Sequence, residues 1–437
     1  MMHPRVHVVL LNWNNSADTL ECLESLLRID YPNYQLVVCD NASSDDSLAR
    51  LRSWARGEVH APEIAEPLRH IMATPRADPA PFVEIDRETA ERGGTPEARA
   101  ARFLLIRNVE NLGFAGGNNV AIRYAVAARK HCQAEREACH AEGCVSHPER
   151  STCHPERSEG SPSMESDPSV AALPQDDNAA LPQDDNGALP QDDNGALLQD
   201  DNGSLSEHDN ARDSYVCLVN NDTVVSRNWM SLMMAAMQSD EKIGAAGATL
   251  YEYYAPELVE SAGGGVVHPW QGMPRANSAH RQRRGTPAAV PRRLDFLSGA
   301  CMLMRTSMLE RVGLIDERYF IYCEDIDLSL RIRRAGLRIV LVPGAEMWHK
   351  NGGIMGTLTA RRDYYMARNS LLLVHKLYPA MIPAALVFSL YRCALPKIVR
   401  RDRARLRAVA GAYRDFFSFV AGNPLGAGVG TSVPPRT

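Results

Sequence analysis

The chain has 437 residues, a formal net charge of −5, and ordinary globular shares of apolar (45%) and charged (23%) residues. That length holds a full catalytic domain with additions, and the charge gives no reason to expect nucleic acid as a partner. The average conceals an asymmetry: acidic repeats sit mid-chain, whereas Lys397 to Arg407 carries six basic residues against the single Asp402.

The opening segment, MMHPRVHVVLLNW, has an apolar run too short for a secretory signal, and no small-residue cleavage site follows. Val6 to Leu11 is continuously apolar, the pattern of a strand buried on both faces of a parallel sheet. Ser16 and Asp18 are placed to cap a helix over Thr19 to Leu27, with Leu20, Leu23, Leu26 and Leu27 on one face. Gln35 to Cys39 is the second strand, Asp40 sits at its carboxyl end, and Ser44 to Ala55 reads as the next helix. This β-α-β-α start points to a doubly wound α/β sheet.

Residues 56–100, rich in Pro, Arg, Glu and Ala without sustained periodicity, read as an enlarged loop. Phe103 to Arg107 is a third strand, leading into Asn111-Leu112-Gly113-Phe114-Ala115-Gly116-Gly117-Asn118-Asn119 and a helix to about Ala128. Residues 131–213 then change character. His147-Pro148-Glu149-Arg150-Ser151 recurs seven residues later, and Leu173-Pro174-Gln175-Asp176-Asp177-Asn178 recurs every eight. One or two apolar residues in eight cannot bury a core, so the stretch reads as a disordered insert. Cys132, Cys139, Cys144 and Cys153 cluster here, a weak zinc signal. The other six cysteines are scattered without a C-x-x-C pair, as expected of buried, reduced thiols in a cytosolic chain.

Tyr215 to Val219 is again a buried strand, ending in Asn220-Asn221-Asp222. Asn228 to Gln238 is helical, Gly244 to Leu250 a strand, and residues 251–293 a long Gly-, Pro- and Arg-rich segment on the substrate side. Ser307 to Val312 and Asp325 to Arg334 are helices, and Arg338 to Val342 is a strand followed by a turn and His349. From Leu371 the chain is helical. Leu377 to Leu395 is the best candidate for membrane contact, but Pro379, Pro383 and Arg392 interrupt it, which suits a surface helix better than a span. Two readings stay open there: peripheral attachment to an anionic membrane, or a helical cap packed on the catalytic domain.

Asn12, Asp40, Asn111 and Asp222 each follow a buried strand at its carboxyl end. In open parallel sheets ligands bind outside those ends, so the four converge on one crevice. A carboxylate at Asp222 facing a diphosphate suits magnesium or manganese, although Asn and Asp also serve a simple turn. Gly113 to Asn119 offers flexible backbone near a ligand at a helix start, and does not fit the dinucleotide fingerprint. Glu324, Asp325 and Asp327 suit a helix N-terminus electrostatically, and one of them could equally serve as a general base.

The stretches VVLLNWNN (8–15), VVCDNASSDDS (37–47), NLGFAGGNN (111–119), VNNDTVV (219–225), SGACMLMR (298–305), YCEDIDLSLRIRRAGLRI (322–339) and MWHKNGG (347–353), in this order, resemble the family 2 inverting glycosyltransferases, particularly their rhamnosyltransferase-like branch. The resemblance implies a GT-A fold, a mostly parallel sheet flanked by helices. Residues 1–130 would form the nucleotide-binding half, 131–213 the insert, 214–375 the metal and acceptor half, and 376–437 amphipathic C-terminal helices. It also implies roles. Asn12 and Asp40 would contact base and ribose, with Asn111, Gly113, Gly116 and Asn118 on the nucleotide side. Asp222 and His349 would bind a divalent Mg2+ or Mn2+ ion, and Asp325 would be the catalytic base. Glu324 and Trp348 would lie on the acceptor or donor-sugar side. The implied donor is dTDP-rhamnose or a UDP-hexose, and the acceptor a saccharide or a lipid-linked sugar. The implied location is the cytoplasm, with peripheral attachment at the inner face of the plasma membrane. Where family members commonly carry Asp-x-Asp, this chain has Asn220 as the first residue.

Overall fold

The structure is a computed structural model that describes residues 3–78, 80–141, 213–272, 274–276, 293–350 and 359–424. The first half is built on β1 (Val6–Asn12), β2 (Tyr34–Asp40), β3 (Val83–Asp86) and β4 (Phe103–Arg107). The second half adds β5 (Tyr215–Val219), β6 (Thr223–Val225), β7 (Ile243–Glu252), β8 (Val259–Ser261), β12 (Cys301–Arg305) and β13 (Arg338–His349). Together they form a ten-stranded sheet whose main path runs β3-β4-β2-β1-β5-β12-β7-β13-β6, with β8 beside β7. β3, β4, β2, β1 and β5 are parallel. β12 runs antiparallel to β5 and β7, so the sheet is mixed rather than wholly parallel. A second, three-stranded sheet is formed by β9 (Gly264–Val267), β10 (Pro274–Ala276) and β11 (Phe296–Leu297).

Strand alternation places two cores on the two faces of the large sheet. Val6, Val8 and Leu10 pack on one face with α1 (Ser16–Leu26), α2 (Ser47–Ala55) and α4 (Trp229–Ser239). Val9, Val37 and Cys39 pack on the other with α3 (Gly113–Ala141), α5 (Thr306–Val312) and α6 (Glu324–Arg334). Burial on both faces explains why these strands read as unbroken apolar runs. α7 (Ala360–Leu377) buries Leu371, Leu372 and Val374 and lies against α8 (Arg403–Val420).

Several expectations are corrected. Residues 56–100 are more than a loop: they supply β3 and short helices at Arg69–Met72, Arg87–Glu91 and Pro96–Ala100. β3 extends the sheet edge while burying only Ile85, which leaves little apolar pattern to read. The helix expected to stop near Ala128 continues to Ala141, so residues 131–141 belong to α3 and not to a disordered insert. The repeats themselves lie outside the described residues. α1 begins at Ser16 after Asn15, and neither Ser16 nor Asp18 caps it; Asp18 instead accepts from Asn15 Nδ2 and Lys350 Nζ. Part of the expected 251–293 loop is β8, β9 and β10. β13 runs without a turn from Arg338 to His349 and carries an irregularity between Val342 and Glu346.

Cys22, Cys39, Cys217, Cys301, Cys323 and Cys393 are buried free thiols and Cys132 is half-buried. Cys139, Cys144 and Cys153, the other cysteines of the weak zinc signal, fall outside the residues whose side chains are described.

Candidate functional site

The parallel pairing of β1 with β2 sets Asn12 opposite Asp40 at the carboxyl ends of the two strands. Both side chains are almost wholly buried. Asn12 Nδ2 donates to Asp40 Oδ1 at 2.8 Å, and Ser43 donates to the same carboxylate through Oγ (2.6 Å) and its amide (3.1 Å). Buried polar groups need such partners, and this set fixes the floor of the crevice. The network continues: Asn221 Nδ2 donates to Thr19 Oγ1, which donates to Asn12 Oδ1, both at 2.9 Å. The Asn220-Asn221-Asp222 segment is thereby tied to the end of β1.

Asn111 joins the floor through Asn41, a residue that sequence reasoning passed over. Asn41 Nδ2 donates to Asn111 Oδ1 (3.0 Å) and to the Gly113 carbonyl (3.1 Å), and Asn41 Oδ1 accepts from the Leu112 amide. The glycines after β4 serve close packing. Gly113 has φ +72°, and a Cβ there would lie 2.5 Å from the Phe320 ring; one on Gly116 would meet Leu112 at 2.8 Å. Asn118 donates to the Phe114 carbonyl one turn back in α3, and its side chain is buried.

On the other side, β13 pairs antiparallel with β6, setting His349 opposite Thr223, next to Asp222. His349 Nε2 lies 3.3 Å from Asp222 Oδ1. The other ring nitrogen, Nδ1, is 3.0 Å from Glu260 Oε2 on β8. Glu260 is a second residue that the sequence did not single out, and its isolated position in a Gly-rich stretch offered no signal. Burial pulls the His349 pKa down, but the hydrogen bonds and charges of Asp222 and Glu260 outweigh it and raise the pKa to about 10. Burial pushes Asp222 up, yet the bond and charge of His349 hold it below the usual aspartate value.

Among the described residues no group of three or more His, Cys, Asp or Glu is arranged to hold a metal by itself. The Asp222–His349 pair nevertheless offers an oxygen and an imidazole nitrogen of the kind that would hold a divalent ion. Two adjacent ligands, each about 2.1 Å from an octahedral ion, stand about 3 Å apart, close to the observed separation. A carboxylate behind the second ring nitrogen is the usual means of orienting a histidine ligand. Asn220, at the expected position of a first acid, uses its backbone instead: its amide donates to Ala300 and its carbonyl accepts from Thr223 Oγ1.

The turn Ser298-Gly299-Ala300 before β12 links this pair to Asp325. While Ala300 holds Asn220, the Gly299 amide donates to Asp325 Oδ2 at 2.9 Å, and the Ile326 amide donates to Oδ1. Asp325 is half-buried at the start of α6, and burial raises its pKa against the pull of those amides. Glu324 beside it is buried, and its Oε2 has no hydrogen-bond partner among the described residues. Burial, then the neighbouring Asp325, pushes Glu324 well above the carboxylate range. Trp348 is not brought to the crevice: it is fully buried, stacks on Tyr251, and its indole N–H donates to the Pro256 carbonyl.

The arrangement is therefore a buried polar network at the carboxyl ends of β1 and β2, an Asp–His pair able to hold a cation, and a half-buried carboxylate with raised affinity for a proton. Two family models match the chain: one described as "Glycosyl transferase family 2" over residues 7–68, and one described as "Glycosyltransferase like family 2" over residues 200–362. The chain is 32% identical over 146 residues to the N-acetylglucosaminyl-diphospho-decaprenol L-rhamnosyltransferase of Mycobacterium tuberculosis, covering 31% of this chain and 47% of that protein. It is 46% identical over 56 residues to the rhamnosyltransferase WbbL of Escherichia coli, covering 13% of this chain and 21% of that one. The match thus spans about half the length of the mycobacterial relative. Among solved structures, the chain aligns with a mannosyltransferase of Pyrobaculum calidifontis in complex with GDP-Man and Mn2+, at TM-score 0.43 and 14% identity, over 97% of this chain and 77% of that one. It also aligns with S. aureus TarS in complex with UDP-GlcNAc, at TM-score 0.43 and 11% identity, over 95% and 81%. The two matched segments carry the Asn12–Asp40 floor and the Asp222, His349 and Asp325 side chains respectively, and the chain belongs to glycosyltransferase family 2.

Proposed function

We propose that the chain is an inverting, metal-dependent glycosyltransferase acting in cell-surface polysaccharide synthesis. It moves rhamnose or another hexose from a nucleoside-diphosphate donor to a saccharide or lipid-linked acceptor. The observation that carries this reading is the Ser298–Ala300 turn, which fastens the Asp222 segment on one side and Asp325 on the other. In this reading Asp222 and His349 hold a divalent ion, which when bound neutralises charge on the departing diphosphate. Asp325 takes the proton of the acceptor hydroxyl as its oxygen bonds to the anomeric carbon and the bond to the diphosphate breaks, which inverts the centre. A carboxylate whose proton affinity is raised by burial suits that role. Asn12, Asp40 and Asn111 form the nucleotide side, with Gly113, Gly116 and Asn118 supporting it through packing.

The relatives named above include a transferase whose name carries a decaprenol-linked diphosphosugar. A lipid-linked acceptor would lie at a membrane, and the segment Pro379–Val399 supports that. It is the one described helical stretch long and apolar enough to cross a bilayer, and only 22% of its most apolar window is buried. Val387, Leu390, Tyr391, Leu395, Ile398 and Val399 are exposed, beside Arg400 and Arg401. An apolar stripe flanked by arginines suits a helix lying on an anionic inner leaflet.

The deciding experiment is a donor panel of dTDP-rhamnose and UDP-hexoses, with and without Mn2+, scored by nucleoside diphosphate release. Manganese-dependent release that rises with an acceptor supports the reading. Nucleotide-sugar binding without release from any donor, equal in native chain and Asp325→Asn, would leave a binding homologue that has lost catalysis.

A further inference from the structure

The backbone that delivers Asp325 to the crevice is strained, and the strain is concentrated in three residues. Phe320, Tyr322 and Cys323 have φ of +64°, +70° and +71°, and none of them is glycine. Phe320, with ψ −56°, is the centre of a γ-turn closed by the Ile321 amide on the Tyr319 carbonyl at 2.7 Å. Cys323, left-handed, is the residue from which α6 starts. Side-chain-bearing residues rarely occupy this region, and the positive-φ γ-turn is rare and strained. Such a run persists only where the surroundings over-determine it.

Two side chains of α7 supply that determination. Asn369 is 0% exposed and Arg368 2%. Asn369 Nδ2 donates to the carbonyls of Tyr319 (2.9 Å), Ile321 (2.8 Å) and Tyr322 (2.8 Å). Arg368 Nη2 donates to the carbonyls of Arg318 (2.8 Å) and Tyr319 (3.1 Å), and its Nε donates to Asn369 Oδ1 at 2.9 Å. Every polar atom of the Asn369 amide is thus used, and its orientation is fixed by Arg368. The same loop touches the nucleotide side: the Phe320 carbonyl accepts from the Ala115 amide at 3.1 Å, and the Phe320 ring stacks on Tyr365 at 5.4 Å.

We propose that Arg368 and Asn369 are positioning residues, a clamp that holds the left-handed 319–323 backbone in the conformation that aims Asp325 at the acceptor. The proposal rests on reading Asp325 as the base. It adds that α7, outside the crevice, sets the angle of that base, and that the loop ties the base to the segment after β4.

The test compares the native chain with Asn369→Asp, which keeps the shape and removes both donors, and with Arg368→Gln. Hydrogen–deuterium exchange is followed in peptides covering residues 318–326 and, as a folding control, β1 and β5. The clamp requires faster exchange confined to residues 318–326. It also requires a kcat lowered by about 100-fold at little-changed donor KM, the order expected for a misplaced catalytic group, together with a displaced acid limb of the kcat–pH profile. Unchanged exchange in 318–326 with the β-strand control intact overturns the clamp, and so does a loss of activity through KM alone. Should Asn369→Asp also loosen the β-strand control, Arg368→Gln, which spares the Asn369 donors, decides on the same readouts. A native chain that turns over no donor removes the enzymatic reading, while the exchange comparison still decides whether the clamp exists.

Discussion

His349 Nε2 lies 3.3 Å from Asp222 Oδ1, while Nδ1 of the same ring lies 3.0 Å from Glu260 Oε2. This imidazole sits between two carboxylates, which raise its pKa to about 10 against the pull of burial. A metal and a proton therefore compete for Nε2. Mn2+ affinity should rise with pH from 6 to 9, with close to one proton released per ion at pH 7. Calorimetry in buffers of different ionisation enthalpy measures that number, and release of no proton would sink the assignment of His349 as a ligand. Glu260→Gln should weaken metal binding by about 10- to 100-fold, the usual effect of losing the group behind a histidine ligand. The sign for stability follows from the same shift. The folded pKa lies above the ordinary 6.5, so the stabilisation is full below pH 6.5 and disappears as pH rises through about 10. Saturating Mn2+ should flatten that decline, as read from Tm between pH 7 and 10.

Asp325 carries the second prediction. Asp325→Asn should lower kcat by about 10²- to 10⁴-fold, the range for removing a general base. Binding of the nucleoside diphosphate should change little, because the Asn12–Asp40 floor is untouched. In the native chain, kcat should fall on acidification along a limb above the ordinary aspartate range, since burial raises this carboxyl and only its ionised form accepts a proton. An acid limb that persists unchanged in Asp325→Asn would assign the base elsewhere.

The ease with which these features could be read from sequence tracks how much of their information is local. Phe103–Arg107 and Tyr215–Val219 are legible to the residue because burial on both faces leaves an unbroken apolar run. β3 is not, since it buries only Ile85 at the sheet edge. Residues 131–141 prolong α3 with His131, Ala134, Glu135 and Glu137 exposed, so no apolar stripe marks them as helical. Asp222, His349 and Asp325 could be singled out from sequence because each stands in a recognisable stretch. Glu260 was missed because only the pairing of β7 with β8 and β13 brings it to His349. Arg368 and Asn369 left one usable sign: polar residues on the face of α7 that also buries Tyr365 and Leu372.

The exposed stripe on Pro379–Val399 predicts membrane binding. Trp270 packs edge-on against Phe388 and is itself half exposed, widening the apolar face. The full chain should sediment with vesicles containing phosphatidylglycerol and much less with phosphatidylcholine alone, and high salt should weaken the association. Val387→Asp together with Tyr391→Asp should reduce it while leaving soluble donor turnover intact. Equal binding of that double variant would mean that the stripe is covered by something other than lipid.

The repeat-bearing stretch gives the last prediction. In the chain, residues 142–212 connect the end of α3 at Ala141 to Asp213, just before the amino end of β5. Arg129 on α3 lies 3.8 Å from Asp213, whose carboxylate also holds Thr306 and Ser307. From Arg129, α3 continues for about 18 Å to Ala141, at 1.5 Å per residue. A connection of about twenty residues spans that distance several times over, at up to about 3.3 Å per residue. Replacing residues 146–206 with ten Gly/Ser residues should therefore leave kcat/KM unchanged. Stability should rise by about 1 kcal/mol, because shortening the loop lowers its closure entropy. Unfolding in urea measures the stability and the donor panel measures the activity. A truncated chain that folds but has lost turnover would give the repeats a role in catalysis that their position in the chain argues against.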